Sequence, residues 1–266
     1  MKRRTRRSKG RGWGRLRTRW RRLSARWRAL PRQARVLLAL AVLAVLALSY
    51  QVLKKPTELL GVVPTATKGP SSTWSAYGAL FRENATDVVT PELLAALVQV
   101  ESAGDPLART YWRWRFSWNP LDLYRPASSA VGLLQLTDGA FAEARHLCIH
   151  DHHVVQEGPW RDPRACWFNE LYVRWVPSHA IEMTAAWLDQ AVRETLGDRL
   201  RQSTPEQRLR LAAVIHLCGR QRGVVFARRG FRARPGERCG DHALAAYVAR
   251  VGALAHEFAR LGAGSP

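Results

Sequence analysis

Glu101 is the residue whose setting in this chain best suits proton transfer. It closes the run Thr90-Pro91-Glu92-Leu93-Leu94-Ala95-Ala96-Leu97-Val98-Gln99-Val100-Glu101, three and four residues after Val98 and Leu97. A carboxyl beside the apolar face of a helix is hard to ionise, because desolvation disfavours the charged form, and such a group suits a general acid. A last-turn glutamate that merely points to solvent has the same spacing, so the helix face alone does not decide between the two.

Two further clusters carry chemistry. In the run Arg109 to Pro120, Trp112, Trp114 and Trp118 share the parity of a strand, while arginines fill much of the other parity. Flat aromatic faces beside hydrogen-bonding groups suit stacking on sugar rings and pairing with carboxylates of peptide stems. A hairpin that folds its tryptophans onto the domain fits the pattern equally. His146, Cys148, His150, His152 and His153 invite a zinc reading. The cysteine total argues against it: Cys148, Cys166, Cys218 and Cys239 favour two disulfides. Sequential pairing closes two short loops, but three pairings remain open. No metal and no cofactor is expected.

The elements that must position these residues read as mostly α. Thr90 is a hydroxyl cap, Pro91 stands at the first helical position, and Glu92 is an acid where the helix dipole favours one. Leu93, Leu94, Leu97 and Val98 face a core, and Ala103-Gly104-Asp105-Pro106 ends the helix. Trp74, Tyr77, Leu80 and Phe81 form one face of an earlier helix. From Gly139 onward the pattern is again mostly helical. A long helix begins at Ser178, with Ile181, Thr184, Trp187 and Leu188 on one face. Another starts at Thr204-Pro205-Glu206 and runs to Cys218-Gly219, followed by a basic loop to Cys239.

Val100 to Pro106, followed by Ser129-Ala130-Val131-Gly132-Leu133-Leu134-Gln135-Leu136, resembles the lytic transglycosylases with a soluble-lytic-transglycosylase domain. Leu134 replaces the Met usual in that family, and Thr137-Asp138 stands where Met-Pro is common. Ala246-Tyr247-Val248 resembles the family's terminal helix, whose tyrosine faces the cleft. Val214 to Gly219 departs from the family's Ala-Tyr-Asn-x-Gly, with His216 in the Asn place. The resemblance implies a lysozyme-like domain over roughly Trp74 to Leu261. It implies peptidoglycan glycan strands as substrate, cleavage of the β-1,4 bond from N-acetylmuramic acid to N-acetylglucosamine, and a 1,6-anhydro product. By the same resemblance Glu101 is the catalytic acid and base. Ser102, Gly132, Leu133, Leu134, Gln135 and Tyr247 line the sugar site, joined by Trp112, Trp114 and Trp118. A hydrolytic muramidase would need a second acid, Glu182 or Asp138. A non-catalytic glycan-binding subunit of an envelope-spanning secretion or conjugation machine is the other alternative.

The formal charge of +21 belongs to a tail. Residues 1–35 hold sixteen of the 42 basic residues and none of the 21 acids, which leaves the remainder near balance at +5. That distribution excludes a nucleic-acid-binding domain as the source of the charge. In the tail, Trp13, Leu16, Trp20, Leu23, Trp27 and Leu30 would form a stripe on an otherwise basic helix, the pattern of a segment lying on anionic lipid. A disordered cytoplasmic tail fits equally, and a basic arm with interleaved tryptophans that binds nucleic acid is the less favoured alternative. Residues 36–53 are almost wholly apolar. At ~1.5 Å each they span about 27 Å, which reads as a transmembrane signal anchor. A cleavable signal peptide is the rival, disfavoured by the length of the basic region before it. The expectation is a cytoplasmic arm at 1–35, an anchor at 36–53, a tether at 54–72 and a lysozyme-like domain at 73–266. This places a single-pass protein in a bacterial inner membrane, with its N-terminus cytoplasmic, its catalytic domain periplasmic and the membrane itself as a partner.

Overall fold

The computed structural model describes residues 31–54, 67–108, 112–114, 124–126, 129–156, 158, 161–162 and 165–264. The tryptophan stripe of the arm, Trp118 and most of the expected tether lie outside the described residues. The chain divides into two units, Met1–Lys55 and Pro56–Pro266.

In the first unit α1 runs from Arg32 to Lys54. Among the described residues no helix is long and apolar enough to cross a membrane. The expected anchor is corrected, and with it the single-pass topology, the inner-membrane and periplasmic placement, and the membrane as a partner. The physical reason lies in α1 itself. Ser49, Tyr50 and Gln51 cut its uninterrupted apolar stretch to residues 36–48. Thirteen residues at ~1.5 Å reach only about 20 Å, short of a bilayer core of about 30 Å.

The second unit is mostly α. Its helices are α2 (Pro70–Glu83), α3 (Pro91–Ser102), α4 (Asp138–Ala144), α5 (Pro177–Leu196), α6 (Pro205–Cys218), α7 (Arg220–Arg228) and α8 (Leu244–Ala263). Cap chemistry starts several of them. The Thr90 hydroxyl accepts from Leu93 N, with Pro91 leading α3. Thr204 and Gln207 form a reciprocal capping box on α6, a two-donor arrangement that satisfies both exposed amides.

Helix α3 forms the middle of the core. Leu93, Leu94, Ala95, Ala96, Leu97 and Val98 are all buried, so its first two turns are enclosed on every side and not on one face. Helices α2 and α8 pack against it, and α8 also contacts α6. The far end of α3 is pinned by the segment that leads into α2. Lys68 N donates to Ala103 O at 2.8 Å, while Lys68 Nζ and Tyr77 Oη donate to Gly104 O at 2.9 and 3.2 Å. These bonds occupy carbonyls that a helix C-terminus otherwise leaves without partners. The left-handed cap is Ala103 (φ 49°), with Gly104 (φ 74°) continuing the turn.

Three two-stranded antiparallel pairs interrupt the helices. Strands β1 (Trp112–Trp114) and β2 (Tyr124–Pro126) pair with Trp114 opposite Tyr124. The histidine-rich segment, expected as helix, is instead the hairpin β3 (Leu147–His150) and β4 (His153–Gln156), with His150 opposite His153. Its two-residue turn holds Asp151 and His152 at φ 50° and 64°, the backbone that a tight hairpin demands and a helix forbids. Short strands β5 (Arg238–Cys239) and β6 (His242–Ala243) lead into α8. Cys148 is bonded to Cys166 and Cys218 to Cys239, with Cα separations of 5.4 and 5.5 Å. Among the described residues no group of three His, Cys, Asp or Glu side chains is arranged to hold a metal.

Candidate active site

Glu101 sits in the last turn of α3 with 17% of its side chain exposed. Its Oε1 accepts a hydrogen bond from Tyr247 Oη at 2.5 Å and lies 3.7 Å from His216 Nε2. One oxygen is therefore held, and the other, Oε2, is without a hydrogen-bond partner among the described residues. Tyr247 comes from the first turn of α8, and His216 from the last turn of α6. Burial pushes the Tyr247 phenol well above its usual range, and the adjacent Glu101 carboxylate pushes it the same way. The phenol stays neutral and remains a donor. Burial holds the His216 imidazole below its usual range, against the opposing pull of Glu101 and of the Leu134 backbone.

The turn 131–136 forms the third wall. Val131 and Leu136 bridge its ends, and Ser102 Oγ donates to Leu133 O at 2.7 Å, tying it to the turn after Glu101. Gly132 has φ 81°, and a methyl placed there would drive into the Arg174 carbonyl. Only glycine fits that backbone at that approach. Arg174 braces the same turn from outside. Its Nη1 donates to Ser129 O and Leu136 O at 3.0 and 2.9 Å, and its Nη2 lies 2.8 Å from Asp138 Oδ1. A cleft of about 630 Å³ runs past His216 and Gln135, with Thr137, Trp187 and Arg220 also in its walls.

The structure brings Glu101, Ser102, the 132–135 turn and Tyr247 together, each in a particular role. The side chains of Leu133 and Leu134 are fully buried, so they hold the turn from the core while their backbone meets Ser102 and His216. The Gln135 amide nitrogen donates to Ala108 O and Gly132 O at 3.0 and 2.9 Å, which closes the turn on itself. Trp112 and Trp114 lie on β1, and Trp118 lies outside the described residues. The two candidate second acids are engaged elsewhere. Asp138 faces Arg174, and Glu182 accepts from Ile149 N at 3.2 Å and Tyr172 Oη at 2.9 Å. Burial, reinforced by Glu182, pushes the Tyr172 phenol up.

His216 and Arg174 are the residues that sequence reasoning did not assign to the site. His216 carried two signals, its place where the resembled family has Asn and its position as a polar residue inside the apolar run Ala212 to Leu217. Arg174 carried none, since its role depends on the fold of the 129–138 turn.

No protein-family model matches the chain, and no curated protein sequence matches it. The family assignment drawn from the two motifs is thereby overturned, and its lysozyme-like fold label goes with it. Two short motifs, with departures at Leu134, Thr137-Asp138 and His216, do not amount to a family match.

Proposed function

We propose that the second unit is a lytic transglycosylase acting on peptidoglycan, with Glu101 as its only proton-transfer carboxylate. The observation that carries the reading is the asymmetry of Glu101: Tyr247 holds Oε1 at 2.5 Å while Oε2 has no partner among the described residues. Most glycoside hydrolases need two carboxylates about the bond, one of them a nucleophile or a base for water. Asp138 and Glu182 are both committed to other partners, which favours a reaction that needs one.

Glu101 Oε2 gives its proton to the glycosidic oxygen as the bond from that oxygen to muramoyl C1 breaks. The resulting carboxylate takes the proton of the C6 hydroxyl as O6 bonds to C1. A 1,6-anhydro end forms, no water is consumed, and Glu101 is protonated again. Tyr247 stays a donor throughout and steadies the carboxylate while it is charged.

The test is mass spectrometry of purified sacculi digested with the full chain. The wild type is expected to release fragments with 1,6-anhydro ends, and Glu101→Gln, with circular dichroism unchanged, is expected to release none. Reducing muramic acid ends would convert the reading to hydrolysis. No release by the wild type, or undiminished release by Glu101→Gln, would overturn it.

A further inference from the structure

We propose that the pocket between α6, the segment after α7 and α8 is a binding site for the carboxyl terminus of a peptide whose last residues are small and apolar. The site is separate from Glu101 and goes beyond the reading above without resting on it. The pocket holds about 480 Å³. Arg210 of α6 and Arg232 of the segment between α7 and β5 line it, and α8 supplies one wall. Ala245 and Ala249 on that wall each stand two residues from Tyr247, about 200° round the helix from it. The pocket thus lies on the side of α8 turned away from Glu101.

Both arginines lack an acidic partner. Neither makes an ion pair or a hydrogen bond among the described residues, whereas Arg222 and Arg229 nearby in the chain pair with Glu237. Arg210 Nε is enclosed and has no acceptor among the described residues. Burying a guanidinium N–H without an acceptor costs free energy, and most such groups find a partner. With Nε enclosed, the Nη–H groups are the donors that a ligand can reach, and the fork they form matches a carboxylate. Among the described residues Glu206 is the only acid at the pocket. It stands in the first turn of α6, four residues before Arg210, where the helix dipole favours an acid. That spacing often gives an ion pair, yet none forms, and Arg210 stays available.

The remaining walls set the class of ligand. Phe226 and Val248 are buried beneath the pocket, and Ala245, Ala249, Gly252 and Ala253 present no side chain larger than a methyl. A methyl added at Gly252 meets no atom within 4 Å, so that wall has room. His256, one turn beyond Gly252, completes the polar residues. Two unpaired cations beside an apolar wall suit an anion joined to small apolar groups. A peptide carboxyl terminus with alanine-sized side chains has both parts. Its carboxylate pairs with the guanidinium groups, and its methyls cover the α8 wall. Free phosphate offers the charge without the apolar surface.

The test uses the full chain and N-acetyl-alanyl-alanine as probe, with its C-terminal amide and inorganic phosphate as comparisons. Arginine side-chain nitrogen signals are followed by NMR, those of Arg210 and Arg232 being assigned by their loss in Arg210→Lys and Arg232→Lys. The acid is expected to shift both signals and to bind at least about tenfold more tightly than the amide, the change that loss of a charge-assisted pair brings. Arg232→Gln is expected to weaken binding of the acid by the same factor. Ala249→Leu fills the pocket from an exposed position of α8 and leaves both arginines in place. It is expected to abolish binding with thermal melting unchanged. Equal affinity for acid and amide, no shift at either arginine, or undiminished binding by Ala249→Leu would overturn the proposal. Phosphate bound as tightly as the acid would mark a general anion site and overturn the peptide assignment. None of these readouts involves glycan cleavage, so they decide the pocket whether or not the transglycosylase reading stands.

Discussion

Gly132→Ala tests whether the 131–136 turn is held as tightly as the geometry requires. Gly132 has φ 81°, a region that costs an L side chain about 1–2 kcal/mol. Its new methyl would overlap the Arg174 carbonyl oxygen and stand 3.0 Å from that carbonyl carbon, so either the turn or the 173–176 segment must move. Movement strains the bonds that close the turn, Gly132 N to Ala108 O at 3.0 Å and Gln135 N to Gly132 O at 3.1 Å, each worth about 1 kcal/mol. The expected destabilisation is about 2–4 kcal/mol. For a unit of this size that is a fall of roughly 4–16 °C in Tm. Gly252→Ala is the control. It lies inside α8 with nothing within 4 Å of an added methyl, and it should stabilise by about 0.5–1 kcal/mol through helix propensity. Denaturant unfolding and thermal melts of the three proteins supply the comparison. A Gly132→Ala variant within about 0.5 kcal/mol of the wild type would refute the account of the turn.

Other substitutions probe the rest of the second unit. Tyr247→Phe strips Glu101 Oε1 of its donor and is expected to lower stability by about 1.5–3 kcal/mol, read by urea unfolding at neutral pH. Asp189, 1% exposed, accepts from Thr86 Oγ1 and Arg193 Nε, both at 2.6 Å, so Asp189→Ala should cost about 3–5 kcal/mol in the same assay. Joint Cys218→Ser and Cys239→Ser replacement opens a loop of 21 residues and should cost about 2–5 kcal/mol, measured by thermal unfolding without reductant. The wild type should lose stability as pH falls below about 6.5, because the unfolded chain takes up protons that the buried His216 ring resists. His179, also held down by burial, contributes in the same direction. The His216→Gln variant should therefore show a shallower acid slope than the wild type, and an identical slope would remove His216 from that dependence.

Local chemistry made much of the fold legible. Thr90-Pro91 and Thr204-Pro205 announce helix starts because a hydroxyl cap and a proline each satisfy a requirement of the first turn without help from tertiary structure. Spacing put Leu93, Leu94, Leu97 and Val98 in the core, but it could not reveal that α3 is enclosed all round, since Ala95 and Ala96 look neutral on any helical wheel. The 147–156 hairpin was misread because its turn residues are Asp151 and His152, with no glycine to signal positive φ. The apolar stretch of α1 misled for a different reason. Its count included Val52 and Leu53 beyond the polar break at 49–51, and length is the quantity on which spanning depends.

The candidate site was legible at its donors and not at its assembly. Glu101 could be named because it is a polar residue beside an apolar helical run, and polar residues in such places need a reason. Ser102 and Tyr247 were named only through the resemblance of their motifs to a known family. What joins them is a set of contacts across 31 to 146 residues of chain, from Ser102 to Leu133 and from Glu101 to Tyr247. No periodicity encodes such distances. They follow from the burial of α3, which fixes where its last turn can stand, and from Lys68 and Tyr77, which bind the carbonyl of Gly104. With that end immobile, α8 delivers Tyr247 and α6 delivers His216 to the same carboxylate oxygen. The pairing of a constant donor with a titratable one is thus a consequence of which two helices pack around the third. Glu101 is functionally interpretable only once that packing is known.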